Sequence, residues 1–474
     1  MKSFYPLLIG GEWTESSDVM DVMNPFNNQS IAKICRATPE HAEKALSVAQ
    51  GARPVMASLP SHKKAEILLK VSEGILARKE EIAKIITLEN GKPINESRTE
   101  VERAGLTFRI ASEEATRIGG EFISLDRNMA SEGRWGITRR FACGPVLGIT
   151  PFNFPLNLVA HKVAPAIAAG NPIILKPASK TPVSALLLGE ILMESRIPPG
   201  AVSVLPSTGK TAEAMLADPR IRVLSFTGSA SVGWQLKKIA NDKKVLLELG
   251  GNAGVIIDKD CDLEFAVNRC VSGAFSYAGQ VCISVQRIYV HKDVFNDFLA
   301  MFTLKVRALK SGDPLDEINQ LGPMIDEDNL LRVEAWVNEA KAAGATVYTG
   351  GKRNRNFYEP TIILDTTPKM KVSCMEVFAP VVTITKIESF AEGLSSVNDS
   401  VYGLQAGVFT RSLKNAFVAF DGIEVGGVII NDVPAYRVDH MPYGGVKMSG
   451  FGREGLKYAI EEMTELRLMA LNPL

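Results

Sequence analysis

Between Gly144 and Gly254, short apolar runs alternate with stretches of helical periodicity, and this alternation constrains the fold more than any other feature of the sequence. The runs are Val146–Ile149, Ile173–Leu175, Val202–Leu205, Val223–Phe226 and Val245–Leu249. Strands that are apolar along their whole length and separated by helices predict a parallel sheet with crossover helices. A second alternation follows. It has a helix from Leu263, a strand over Gln286–His291, a helix from Val294, and strands over Thr346–Tyr348 and Val381–Ile387. It predicts a second α/β domain over residues 251–441. A chain of 474 residues exceeds what one hydrophobic core organises, so two or three domains are expected.

The first part of the chain reads as mostly helical. Three- and four-residue apolar spacing predicts helices over Pro39–Ala52, Ser61–Asn90 and Ser97–Gly119, with Ser61 as an N-cap and Gly91 and Pro93 as a stop. Residues 120–142 instead alternate apolar and polar positions around the turn-like Ser131-Glu132-Gly133, which predicts a hairpin. Its polar character suits an arm toward a partner subunit. The segment Gly452–Leu474 reads as a helix and then an apolar run able to pair with that hairpin.

Charge and cysteine usage exclude several function classes. Lys plus Arg and Asp plus Glu both total 53, so no bulk field steers the chain toward nucleic acid or an anionic membrane. The six cysteines (35, 143, 261, 270, 282, 374) form no CxxC and predict reduced thiols in a cytoplasmic protein. The five histidines show no HExxH spacing, so no metal site is expected. Met1–Gly10 lacks the pattern of a signal peptide. The apolar stretch Leu156–Leu175 carries His161, Lys162 and two prolines, a poor membrane span.

Several segments at predicted strand ends carry chemistry. The run Val223–Phe226 leads into Thr227-Gly228-Ser229 and then a helix, a turn that presents backbone N–H groups and a helix dipole to a phosphate. It is not GxGxxG, and taken alone a simple tight turn is the commoner reading of it. Lys176 ends the run Ile173–Leu175, where parallel sheets bind ligands, although a solvated lysine is the commoner outcome. Two prolines hold Thr150-Pro151-Phe152-Asn153-Phe154-Pro155, so Asn153 either donates to a developing oxyanion or bonds its own turn. Glu248 in Val245–Leu249 is either a buried carboxylate of raised pKa suited to general-base work or an edge-facing glutamate. Cys282 stands in a loop, Gly279-Gln280-Val281-Cys282, before the strand at Gln286. A cysteine taken alone is most often a small buried apolar residue. Glu376-Val377-Phe378-Ala379-Pro380 and the glycine-dense Tyr443–Gly452 complete the set.

Taken together, PFNFP (151–155), KPAS (176–179), FTGS (226–229), LELGG (247–251), GQVC (279–282), EVFAP (376–380) and PYGGVKMSGFGREG (442–455) resemble the aldehyde dehydrogenase superfamily over essentially the whole chain. The resemblance implies an α/β fold of that type: a Rossmann-like dinucleotide-binding domain (1–119 and 143–250), an α/β catalytic domain (251–441) and a small β oligomerisation arm (120–142 and 456–474) of a homodimer or homotetramer. It implies Cys282 as the thiolate nucleophile, Asn153 as an oxyanion donor, and Glu248 as the base activating the water that releases the acid. For the cofactor, NAD or NADP, it implies Thr150, Pro151, Phe152, Lys176, Ser179, Gly209, Gly228, Ser229, Val232, Glu376 and Phe378.

Departures from the family pattern narrow the reading. Many members carry an acid after KPA that repels a 2′-phosphate; this chain has Ser179 and then Lys180, so NADP is expected to be tolerated or preferred. Glu248, which coenzyme A-acylating members lack, implies hydrolysis to a free acid. Val281 stands where phosphorylated-triose members often place an arginine, which disfavours glyceraldehyde 3-phosphate. The ending NDVPAYRVDHMPYGG and His161 resemble the lactaldehyde dehydrogenase-like branch, with Arg109, His161 and Arg437 as candidates to hold a polar or anionic tail. Two other readings are a cysteine hydrolase pairing Cys282 with a histidine such as His291, and a non-catalytic binding protein on the same fold.

Overall fold

The computed structural model describes residues 2–472. The first alternation builds five parallel strands, Val146–Ile149, Ile173–Lys176, Val202–Val204, Val223–Thr227 and Lys244–Glu248. Numbered along the chain, they lie in the order 3-2-1-4-5, so the sheet is doubly wound and its direction of winding reverses between the first and fourth strands. Two antiparallel pieces from distant sequence cap its edges. Leu7–Ile9 and Glu12–Thr14 lie beyond Val202–Val204, and Gly450–Phe451 pairs with Lys244–Glu248. The strands are buried because helices cover them, among them Asn157–Ala169 and Val183–Glu194.

The second sheet has seven strands, all parallel except the edge strand Thr346–Thr349. Four of them, Ala253–Ile257, Thr361–Leu364, Gln405–Phe409 and Gly427–Ile430, were not expected from the sequence. Each is short and apolar enough to pass as buried helix. The arm is a three-stranded sheet in which Thr464–Leu471 pairs antiparallel with Trp135–Ala142, from Thr464 opposite Ala142 to Leu471 opposite Trp135. The expected pairing of the C-terminal run with the hairpin is therefore present. The helix Leu456–Glu462 is not part of it; it packs on Asn157–Ala169 of the first unit.

Two expectations for the N-terminal part need correction. Residues 4–35 form five short strands ahead of the helices. The predicted helix Ser61–Asn90 is two, Ser61–Ala77 and Lys79–Asn90, because Arg78 leaves helical geometry at φ −105°, ψ 22°. Ser61 is the first helical residue, with Pro60 as its N-cap. The predicted stop is present: Gly91 adopts φ 75° and its N–H returns to Thr87.

Candidate active site

The reversal in winding places Thr150–Phe154 and Thr227–Ser229 side by side at the carboxyl ends of adjacent strands, where open α/β sheets bind ligands. The second sheet meets them with its opposite end. Cys282 and Glu376 both precede the strands they lead into, Val285–His291 and Val381–Ile387. Between the two lies a cavity of about 560 Å³ lined by Pro151, Phe152, Asn153, Gly228, Ser229, Glu248, Cys282, Glu376 and Phe378. Nine residues singled out from the sequence thus share one cleft.

The loop leading to Cys282 is held by strained backbone. Tyr277, Ala278 and Gly279 adopt φ 46°, 50° and 69° in succession. Gly279 is required, since a Cβ there would sit 2.2 Å from the Ala379 carbonyl oxygen. The strain is offset by buried hydrogen bonds: the Tyr277 hydroxyl donates to the Asn90 carbonyl at 2.7 Å, and its N–H to Glu96 at 3.1 Å. The Lys92 ammonium lies 3.8 Å from the centre of the Phe154 ring and 5.0 Å from that of Tyr277, so one cation touches both the segment that carries Asn153 and the loop that leads to Cys282.

Asn153 is 2% exposed; its amide donates to the Gln280 carbonyl at 3.0 Å and retains a second N–H, while its Oδ1 has no partner among the described residues. Glu248 is 4% exposed, and its Oε2 has no partner among the described residues. Burial raises it well above the carboxylate range. The nearby Glu454 adds to this, and Arg437, Lys162 and Arg453 oppose it. Burial also pushes the Cys282 thiol up to about 11, against the Tyr443 hydrogen bond and the Arg437 charge.

The cleft fits a dinucleotide. The turn Gly228-Ser229 opens the helix Ala230–Ala240, whose free N–H groups suit a pyrophosphate. Glu376, raised to about 7 by burial, accepts the Gly251 N–H at 3.1 Å. A Cβ on Gly250 would sit 2.2 Å from the Glu376 carboxylate, so any larger residue there would push that carboxylate aside. Phe378, at φ 52°, meets Phe152 edge to face at 5.8 Å. Lys176 is buried at its strand end, lowered to about 8 by desolvation and bonded only to the Pro177 carbonyl. Thr150 is buried with an unpartnered hydroxyl. Thr150, Lys176, Ser179, Gly209 and Val232 lie outside the cavity lining. Ser179 is exposed, Gly209 opens the helix Gly209–Ala217, and Val232 is 43% exposed.

A family model of the aldehyde dehydrogenase family matches residues 13–469. The chain belongs to the aldehyde dehydrogenase family. Among its relatives, the 3-sulfolactaldehyde dehydrogenase of Priestia aryabhattai is 46% identical over 99% of this chain and 98% of its own length. The lactaldehyde dehydrogenase of Methanococcus aeolicus is 40% identical over 98% of this chain and 100% of its own. Aldehyde dehydrogenase 21 of Physcomitrella patens, solved with the reaction product succinate, superposes with a TM-score of 0.97 at 44% identity, covering 99% and 98% of the two chains. The expected fold and the lactaldehyde-like branch both hold.

The substrate candidates of this aldehyde dehydrogenase divide. Arg109 is a correction: its side chain is 67% exposed and faces Glu113 at 3.9 Å, outside the cleft. The arginine that turns inward from the same helix is Arg103, six positions earlier and so on a different face, bonded to Asp439 at 2.7 Å. His161 is buried and also meets Asp439, at 2.9 Å. Arg437 is buried against Glu454 at 3.1 Å and lies over the Tyr443 ring at 3.6 Å. The sequence reading also missed Arg332 and Trp336, which line the cavity one helical turn apart on Glu327–Ala342. That i, i+4 pair was the available signal.

Proposed function

We propose that the protein oxidises a small polar or anionic aldehyde, of the lactaldehyde or semialdehyde type, to its carboxylic acid by way of a Cys282 thioester. The observation that carries this is the convergence of Cys282, Asn153 and Glu248 on one cavity, although they come from three distant segments. The Cys282 thiolate adds to the carbonyl carbon, and the second N–H of Asn153 holds the oxygen that becomes negative. Bound NAD or NADP supplies the hydride acceptor. Glu248, with its free Oε2, then takes a proton from water as that water attacks the thioester; the acid leaves and the thiol returns.

The tail-binding side is supported by the buried Lys162 and Arg437 and the half-buried Arg103, set around two buried carboxylates, Asp439 and Glu454. Relatives that act on 3-sulfolactaldehyde and lactaldehyde point the same way. The test is a panel read at 340 nm with lactaldehyde, succinic semialdehyde, 3-sulfolactaldehyde and propanal. At least one polar or anionic aldehyde is expected to exceed propanal in kcat/KM by ten-fold or more. Propanal matching all three would overturn the assignment.

NADP is expected to serve well, because Ser179 puts no carboxylate beside a 2′-phosphate and Lys180 follows it. Lys180 is ion-paired to Asp326, so its charge is partly spoken for. A kcat/KM ratio above about one hundred in favour of NAD, equivalent to ~2.7 kcal/mol, would overturn this. A hydrolase reading finds no support: His291 lies at the far end of the strand that Cys282 precedes, about 20 Å along the chain, and faces Asp293. The arm exposes Phe122, Leu466, Leu468 and Met469, which favours a homodimer or homotetramer.

A further inference from the structure

Family membership does not say what makes this particular thiol ionise. Among the described residues the sulfur of Cys282 has one hydrogen-bond partner, the Tyr443 hydroxyl at 3.4 Å. Tyr443 is 2% exposed, and that hydroxyl has no other partner among the described residues. A phenylalanine would fill the same volume without the cost of burying a polar O–H. The ring is fixed from two sides. Its backbone N–H donates to the Glu454 carbonyl at 3.0 Å, and the Glu454 N–H returns to the Tyr443 carbonyl. The Arg437 guanidinium lies 3.6 Å from the ring centre and is itself held by Glu454, which Lys162 anchors at 3.0 Å. A cation on the ring face draws density from the phenol and strengthens its O–H as a donor.

We propose that Tyr443 is a further catalytic residue: its phenol donates to the Cys282 sulfur and stabilises the attacking thiolate, with Arg437 as a positioning residue acting through the ring. The inference rests on Cys282 being the nucleophile. The thiol proton goes to solvent, the phenol keeps its own proton, and the sulfur lone pair forms the bond to the carbonyl carbon. Burial opposes the thiolate most strongly, Glu376 and Glu248 add to it, and the Tyr443 hydrogen bond and Arg437 favour the thiolate.

The test is alkylation of Cys282 by iodoacetamide across pH, without coenzyme or aldehyde, followed by peptide-resolved mass spectrometry because five other cysteines are free. Tyr443→Phe is expected to move the titration of the alkylation rate up by about one unit. Thiolates of higher pKa are more nucleophilic, so two changes of opposite sign follow. The rate near pH 7 falls about three-fold, and the limiting rate at high pH rises by about the same factor. A general loosening of the site does not produce that crossing. Arg437→Lys, which keeps the charge but not the stacked plane, is expected to shift the profile the same way by a smaller amount. Profiles for both variants that superpose on the wild type overturn the proposal, as does a loss confined to particular aldehydes with alkylation unchanged. Undiminished aldehyde oxidation by Cys282→Ser would instead overturn the nucleophile assignment, a distinguishable failure.

Discussion

Glu248→Gln is expected to give a full burst of reduced coenzyme, one per active site, and then a steady rate lower by about 10²–10⁴-fold. The glutamine keeps the size and burial of the side chain and removes only its capacity to accept a proton. Acylation does not need that capacity, because Asn153 and the thiolate carry it. Hydrolysis does. Glu248 lines the same cavity as Cys282 and has a free oxygen, and Gly444 approaches so closely that a Cβ there would meet its Oε1 at 2.8 Å. Its raised pKa fixes the sign of the pH response. The protonated form dominates at low pH, so the hydrolytic rate of the wild type rises as pH climbs through that pKa, while the glutamine variant lacks this limb. Rapid-mixing absorbance at 340 nm reads both phases. A variant with no burst would place Glu248 before hydride transfer instead, and one with normal turnover would remove it from the mechanism.

What the sequence made legible, and what it did not, follows from the range over which each signal acts. A strand run such as Val146–Ile149 was readable to the residue because parallel strands buried on both faces are apolar throughout. Glu248 and Cys282 were ambiguous alone, since a single strand glutamate or loop cysteine has a commoner bland reading. The resemblance gave them roles, and the register of two sheets put them in one cleft. The error at Arg109 has a different source. Arg103 and Arg109 share a helix, and only packing against Asn157–Ala169 and Asp439 shows which face turns inward. Tyr443 lay in a stretch already marked for its glycines. Its hydroxyl mattered only once the chain returned from residue 443 to the sulfur at 282.

Lys92 is the residue whose importance no local pattern announced, and its replacement is expected to have the largest effect on stability. Its side chain and that of its ion-pair partner Glu100 are both fully buried. Glu100 also accepts the backbone N–H groups of Leu156 and Asn157 at 2.9 and 3.1 Å, so it holds the end of the Asn153 loop. Lys92→Met is close to isosteric but leaves Glu100 as an unpaired buried charge, and removing one partner of such a pair costs about 3–5 kcal/mol. Urea unfolding is expected to show that loss. Lys92→Met/Glu100→Gln should recover part of it, because the amide oxygen still accepts from both N–H groups without carrying charge. Restored stability should not restore activity. Without the ammonium between the Phe154 and Tyr277 rings, the loops that carry Asn153 and Cys282 lose their common contact, and a displacement near 1 Å at reacting atoms costs about 10²-fold. A single variant within ~1 kcal/mol of the wild type would show that the pair is not what holds this junction. A double variant with full turnover would show that the cation does not align the two loops.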